Sequence, residues 1–121
     1  MPHCIFEYSA NVVDQPDWLR IIDDVHKGLI ATGQFVPEDI KSRVIRHEHY
    51  RIGSGEPNQS FVTLNMQMVE GRSDEFKSEI AKMASDILIA AFPQSLAEQK
   101  CSVTVQVNDI HRASYQRHVS Y

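Results

Sequence analysis

Cysteine, long apolar runs and surplus positive charge are all scarce in this 121-residue chain. Its only cysteines, Cys4 and Cys101, lie far apart with no CxxC spacing, which predicts two reduced, packed thiols and no disulfide framework or zinc site. No apolar stretch approaches the ~20 residues needed to cross a bilayer, and Met1 to Glu7 lacks the basic-then-apolar order of a secretory leader. The expectation is a cytoplasmic protein with no membrane partner. Lys and Arg total 12 against 16 Asp and Glu, a formal charge of -4. That balance argues against nucleic acid as the principal partner, because phosphate backbones select a basic surplus. It leaves room for a local basic pocket. The length fits one domain, residues 1–121, with a core of modest size.

Two similar halves are present, about 2–52 and 59–109, each running strand, helix, strand. In the first, Cys4, Phe6 and Tyr8 alternate with His3, Ile5 and Glu7, the period of a strand. A helix is expected next, with Pro16 in its first turn, an apolar stripe of Trp18, Ile21, Ile22, Val25 and Leu29, and Gly33 as its stop. Ile40 to Arg51 reads as an extended strand, and Gly53 to Pro57 as a turn-rich hinge.

The second half opens with Phe61 to Val69, where Val62, Leu64, Met66 and Met68 share one face. Ser73 then suits the cap of a helix whose stripe is Phe76, Ile80, Met83, Ala84, Ile87, Leu88 and Ala91, with Pro93 beyond its end. A last strand covers Cys101 to Asp109, and the tail from Ile110 shows no period. Two such βαβ units predict one four-stranded α/β sheet with both crossover helices on a single face. On the other face Thr63, Asn65, Gln67, Thr104, Gln106 and Asn108 are polar but uncharged. Groups that hydrogen-bond without needing an ion desolvated suit contact with another subunit, so a homo-oligomer is expected.

Chemistry is concentrated in a few residues. Removal of Met1 would leave Pro2 with a free secondary amine, and an amine held neutral by burial can act as a general base. With Met1 retained, Pro2 is an inert tertiary amide and a plain lead-in to the first strand. Arg72 stands at a strand-to-helix junction, where its guanidinium and nearby backbone N–H groups suit an anion; the plainer reading is an exposed turn arginine. Lys41 and Arg43, two apart on a strand, share a face and can grip a carboxylate, or they form a basic edge that discourages edge pairing. Phe6, Phe35 and Phe61 are core or apolar walls near Pro2. His47 and His49 share a strand face but have no third metal ligand at convincing spacing, and His3 offers a hydrogen bond beside Pro2.

Taken in register, Pro2-His3, Ala31-Thr32-Gly33, Ile40-Lys41-Ser42-Arg43, Phe61-Val62 and Gly71-Arg72-Ser73 give the chain its likeness to a known family. From Pro2 to about Asp109 it resembles the 5-carboxymethyl-2-hydroxymuconate delta-isomerases of the tautomerase superfamily. The resemblance implies a homotrimer, no metal or organic cofactor, and catalytic Pro2 moving protons within a small-molecule polycarboxylate. It implies an isomerase of homoprotocatechuate (4-hydroxyphenylacetate) breakdown, with Arg72 and Arg43 binding substrate. Lys41 joins them as a point charge where relatives can carry arginine. The alternatives are a tautomerase of another 2-hydroxydienoate or enol, and a trimeric ligand-binding module without catalysis.

Overall fold

The computed structural model describes residues 1–121. Strand β1 (His3–Ser9) turns Cys4 and Phe6 inward, and β3 (Gln59–Val69) buries Val62, Leu64, Met66 and Met68 on the same side, as their alternation requires. Helix α1 (Trp18–Ala31) lays Ile21, Val25 and Leu29 on that side of the sheet. Its cap is Asp17, whose carboxylate accepts from Arg20 N at 3.2 Å, so Pro16 lies just outside the helix and not in its first turn. Gly33, at φ 76°, supplies the left-handed residue that ends it. Helix α2 (Asp74–Ala91) is capped by Ser73, which accepts from Phe76 N at 3.1 Å, and buries Ile80, Ala84 and Leu88.

Further boundaries differ from the sequence expectation. Strand β2 spans only Lys41–His47, because its partner β1 ends at Ser9, opposite His47, and leaves no ladder for residues beyond. His49 therefore lies past the strand and does not share a strand face with His47. Pro93 does not simply follow α2 but opens a short α3 (Pro93–Glu98), a position proline tolerates because the first N–H of a helix is unpaired anyway. Strand β4 (Lys100–Ile110) pairs with the whole of β3, from Gln59 opposite Lys100 to Val69 opposite Ile110.

The sheet order is β2-β1-β3-β4, with β1/β2 and β3/β4 parallel and the two halves joined antiparallel through β1/β3. Both long helices cover one face and touch each other, as right-handed crossovers in two antiparallel units require. Trp18 closes one end of the core, its ring 5.6 Å from Phe6, 5.2 Å from Tyr8 and 5.7 Å from Phe92. On the open face the uncharged band is confined to β3 and β4, where Asn108 donates to Asn65 at 2.6 Å. Strands β1 and β2 bring charge to it: Glu7 pairs with His47 at 2.9 Å, and Lys41 and Arg43 stand beside His3 and Ile5.

This topology fixes what meets what at one end of the sheet. Parallel pairing sets the start of β1 beside the start of β2, and antiparallel pairing of His3 with Gln67 sets it beside the end of β3. Met1, Lys41, the β3–α2 junction and the tail leaving β4 therefore share a neighbourhood.

Candidate active site

Pro2 sits at the centre of that end, its ring fully enclosed and its carbonyl accepting from Lys41 N at 3.1 Å. Met1 is in place ahead of it. The Met1 amine donates to the carbonyl of Asp39 at 2.6 Å, and its sulfur accepts from the Tyr115 hydroxyl at 2.7 Å. Burial pulls this amine below its ordinary pKa, Asp39 opposes, and the positive charges of Lys41, Arg117 and Arg72 lower it further.

Gly71, at φ 119°, makes the turn that aims Arg72 back at the sheet. The Arg72 guanidinium lies 4.6 Å from the centre of the Phe35 ring and donates from Nη1 to Val69 O at 3.0 Å, while its buried Nε has no partner. Burial first, then the charge of Arg112, lowers its pKa. Lys41 Nζ lies 3.2 Å from Glu38 O and 3.5 Å from Asp39 O, at the turn Pro37–Asp39. Arg43 Nη1 lies 3.4 Å from His3 Nδ1. The His3 imidazole is held below its usual value by burial, with Arg43, the N-terminal amine and Lys41 adding to the effect. A cavity of about 310 Å³ opens here, lined by Met1, His3, Lys41 and the tail from Tyr115 to Val119. The largest cavity, about 390 Å³, lies between the helices around Arg20 and Ile87, away from these residues.

Lys41 and Arg72 are thus brought to the N-terminus together, with Arg43 next along the strand. Of the aromatic candidates, Phe35 belongs here through Arg72, whereas Phe6 packs on Trp18 in the core. Phe61 does not lie near Pro2: antiparallel pairing puts it at the far end of β3, against His47 and Tyr50. His47 is occupied by Glu7. Residues missed from the sequence are Asp39, Tyr115 and Arg117. The available signal was charge: from Ile110 to Tyr121 the tail holds His111, Arg112, Arg117 and His118 and no acid.

The family model for 5-carboxymethyl-2-hydroxymuconate isomerase matches residues 2–120, so the likeness runs through the tail. A 5-carboxymethyl-2-hydroxymuconate Delta-isomerase of Escherichia coli is 24% identical over 111 residues, covering 92% of this chain and 88% of that one. A 5-carboxymethyl-2-hydroxymuconate isomerase structure from Deinococcus radiodurans R1 superposes with a TM-score of 0.88 at 24% identity, over 97% of this chain and 88% of that one. A fused 4-OT protein described as a wild-type symmetric trimer has a TM-score of 0.74 at 11% identity, over 95% and 90% of the two chains. At such identities the structures speak to the fold alone, while the family model speaks to descent. The chain belongs to the 5-carboxymethyl-2-hydroxymuconate isomerase family and is an isomerase of that type.

Proposed function

We propose that Pro2, freed by removal of Met1, is the general base and then the general acid in the isomerisation of 5-carboxymethyl-2-hydroxymuconate. Arg72, Arg43 and Lys41 hold the substrate's carboxylates, and no metal or organic cofactor takes part. The Pro2 amine takes the proton of the 2-hydroxyl; the oxygen electrons form the 2-oxo group, and the diene electrons shift along the chain. The far carbon of the diene receives that proton from the prolinium. Product and substrate are isomers, so no electron acceptor or water is consumed. Arginine forks suit the carboxylates and the charge that develops at the 2-oxo end.

The setting of the N-terminal amine carries this reading. It is drawn below its ordinary value at Met1, and a Pro2 amine would lie one residue deeper among the same cations. The enzyme works as a homotrimer, a reading the uncharged band on β3 and β4 supports; its place in cytoplasmic homoprotocatechuate catabolism rests on the family resemblance. The test is to follow the ultraviolet spectrum of 5-carboxymethyl-2-hydroxymuconate with purified protein, beside a panel of other 2-hydroxydienoates and enols. Acceleration of that substrate, lost by about 100-fold or more in Pro2→Ala, is the expected result. No acceleration over buffer would refute it.

A second reading is a trimeric ligand-binding module without catalysis. While Met1 stays attached, its amine on Asp39 and its sulfur on Tyr115, no proline amine exists. A native protein that keeps Met1 and turns over none of the panel would establish it.

A further inference from the structure

The tail after β4 is strapped across the start of β1. Arg112 N donates to Glu70 Oε2 at 2.7 Å and Arg112 Nη2 to Glu70 O at 3.2 Å, where the tail leaves the sheet. Beyond it, Tyr115 reaches the Met1 sulfur, Arg117 Nη2 donates to Asp39 Oδ1, and the Tyr121 hydroxyl donates to Glu38 O at 3.3 Å. Arg117 thus lines the cavity shared with Met1, His3 and Lys41. Only one nitrogen of its guanidinium is engaged, and its side chain is 39% exposed, so donors remain for a ligand.

The charge acting on the N-terminal amine at the edge of this cavity is unbalanced. Asp39 is the single carboxylate acting on the N-terminal amine, against the cations Lys41, Arg117 and Arg72. Asp39 braces Arg117 without cancelling that surplus, which matches a ligand with several carboxylates. In the proposed site Arg72 and the Lys41–Arg43 pair would take two such groups, from β3–α2 and β2, with Lys41 and Arg117 lining this cavity; a third carboxylate calls for a third cation.

We propose that Arg117, held in position by Asp39, is a further substrate-binding residue that takes one carboxylate of a tricarboxylate ligand. It makes the site selective for three carboxylates over two. The identity of that tricarboxylate rests on the isomerase reading above; the selectivity itself does not.

The test is calorimetric titration of propane-1,2,3-tricarboxylate and of glutarate into the wild-type protein and into Arg117→Gln, Arg117→Lys and Asp39→Asn. Arg117→Gln should weaken the tricarboxylate by about tenfold while shifting glutarate by less than about threefold, as expected for loss of one charge-assisted contact. Arg117→Lys should restore part of the preference, because the charge is kept and the fork is lost. Asp39→Asn should bind the tricarboxylate at least as tightly as wild type, since it removes an opposing charge and leaves Arg117. If Arg117 only anchored the strap, Asp39→Asn and Arg117→Gln would weaken both ligands alike, and that result overturns the proposal. So does equal affinity for the two ligands in the wild type, or an unchanged preference in Arg117→Gln. Should Arg117→Gln fail to fold, the ratio in Arg117→Lys decides, and a ratio equal to wild type overturns it. Turnover is read on the same preparations. A wild type with the binding preference but no isomerase activity would remove the Pro2 reading and leave Arg117 in its role.

Discussion

Arg72, a substrate-binding residue in the proposed function, is also held in place by the fold. It stacks on Phe35, bonds Val69 O and lowers the pKa of the N-terminal amine through its charge. Truncation in Arg72→Ala removes a partly desolvated cation–π contact of about 0.5–2 kcal/mol. It also removes a hydrogen bond from a charged donor, worth about 0.5–1.5 kcal/mol net once water reaches Val69 O, so the two losses together come to about 1–3 kcal/mol. The unpartnered Nε disappears with it, which offsets some of that loss. Thermal unfolding should therefore fall by several degrees without loss of the fold. Kinetics should suffer more, because a charge-assisted contact to a substrate carboxylate is worth about 1.5–3 kcal/mol, a tenfold to hundredfold drop in kcat/KM. Arg72→Lys keeps the charge but neither the fork nor the flat stack, and should recover only part of the loss. Phe35→Leu keeps Arg72 while removing its platform, and should raise KM severalfold with a smaller effect on kcat. Steady-state rates and thermal melts on these three variants are the assay. Wild-type kcat/KM in Arg72→Ala would refute the role, and full recovery in Arg72→Lys would show that a point charge suffices and refute the fork-and-stack reasoning.

Two other predictions concern the scaffold. Asp14 caps α3 from a distance, accepting from Ser95 N at 2.7 Å and Gln94 N at 3.0 Å; burial alone would raise its pKa, but the Ser95 side chain and these backbone bonds together lower it from 3.8. A depressed carboxyl stabilises the fold above its unfolded pKa and loses that contribution as pH falls through the folded one. Asp14→Ala should therefore cost about 1–2 kcal/mol at pH 7 and progressively less below about pH 4, checked by denaturant unfolding across pH. Equal destabilisation at pH 7 and pH 2.5 would contradict the assignment. Burial pushes the Cys4 thiol up to about 11, and its side chain is fully enclosed. At pH 8 a thiol reagent should modify half-buried Cys101 in the folded protein and reach Cys4 only at the rate of unfolding, read by peptide mass mapping. Modification of both at equal rates would refute the packing.

Much of the fold is legible in the sequence because its signals are local. The alternation through Val62 to Met68 and the stripe from Phe76 to Ala91 name strand and helix, and Ser73 and Gly33 mark helix boundaries. What is not legible depends on partners distant in the chain. Strand β2 stops at His47 because β1 has run out, and α3 forms where Asp14, some eighty positions earlier, meets its first N–H groups. The site divides in the same way. Lys41, Arg43 and Arg72 are candidates through the family resemblance, and the structure places Lys41 and Arg72 near the N-terminus, whereas Phe35 becomes a platform only through tertiary packing. Tyr115 and Arg117 lie in a segment with no periodicity, whose one usable signal is its basic charge without an acid. Phe61 was misplaced because its distance from Pro2 is set by the antiparallel register of β1 and β3.

The most direct test of the central claim is intact mass analysis of protein isolated from its native host, with turnover of 5-carboxymethyl-2-hydroxymuconate measured on the same sample. Active protein should be lighter by one methionine residue, with Pro2 as its first residue and its amine open to chemical labelling. Full turnover by chains that still carry Met1, in which the Pro2 nitrogen is an amide, would contradict it.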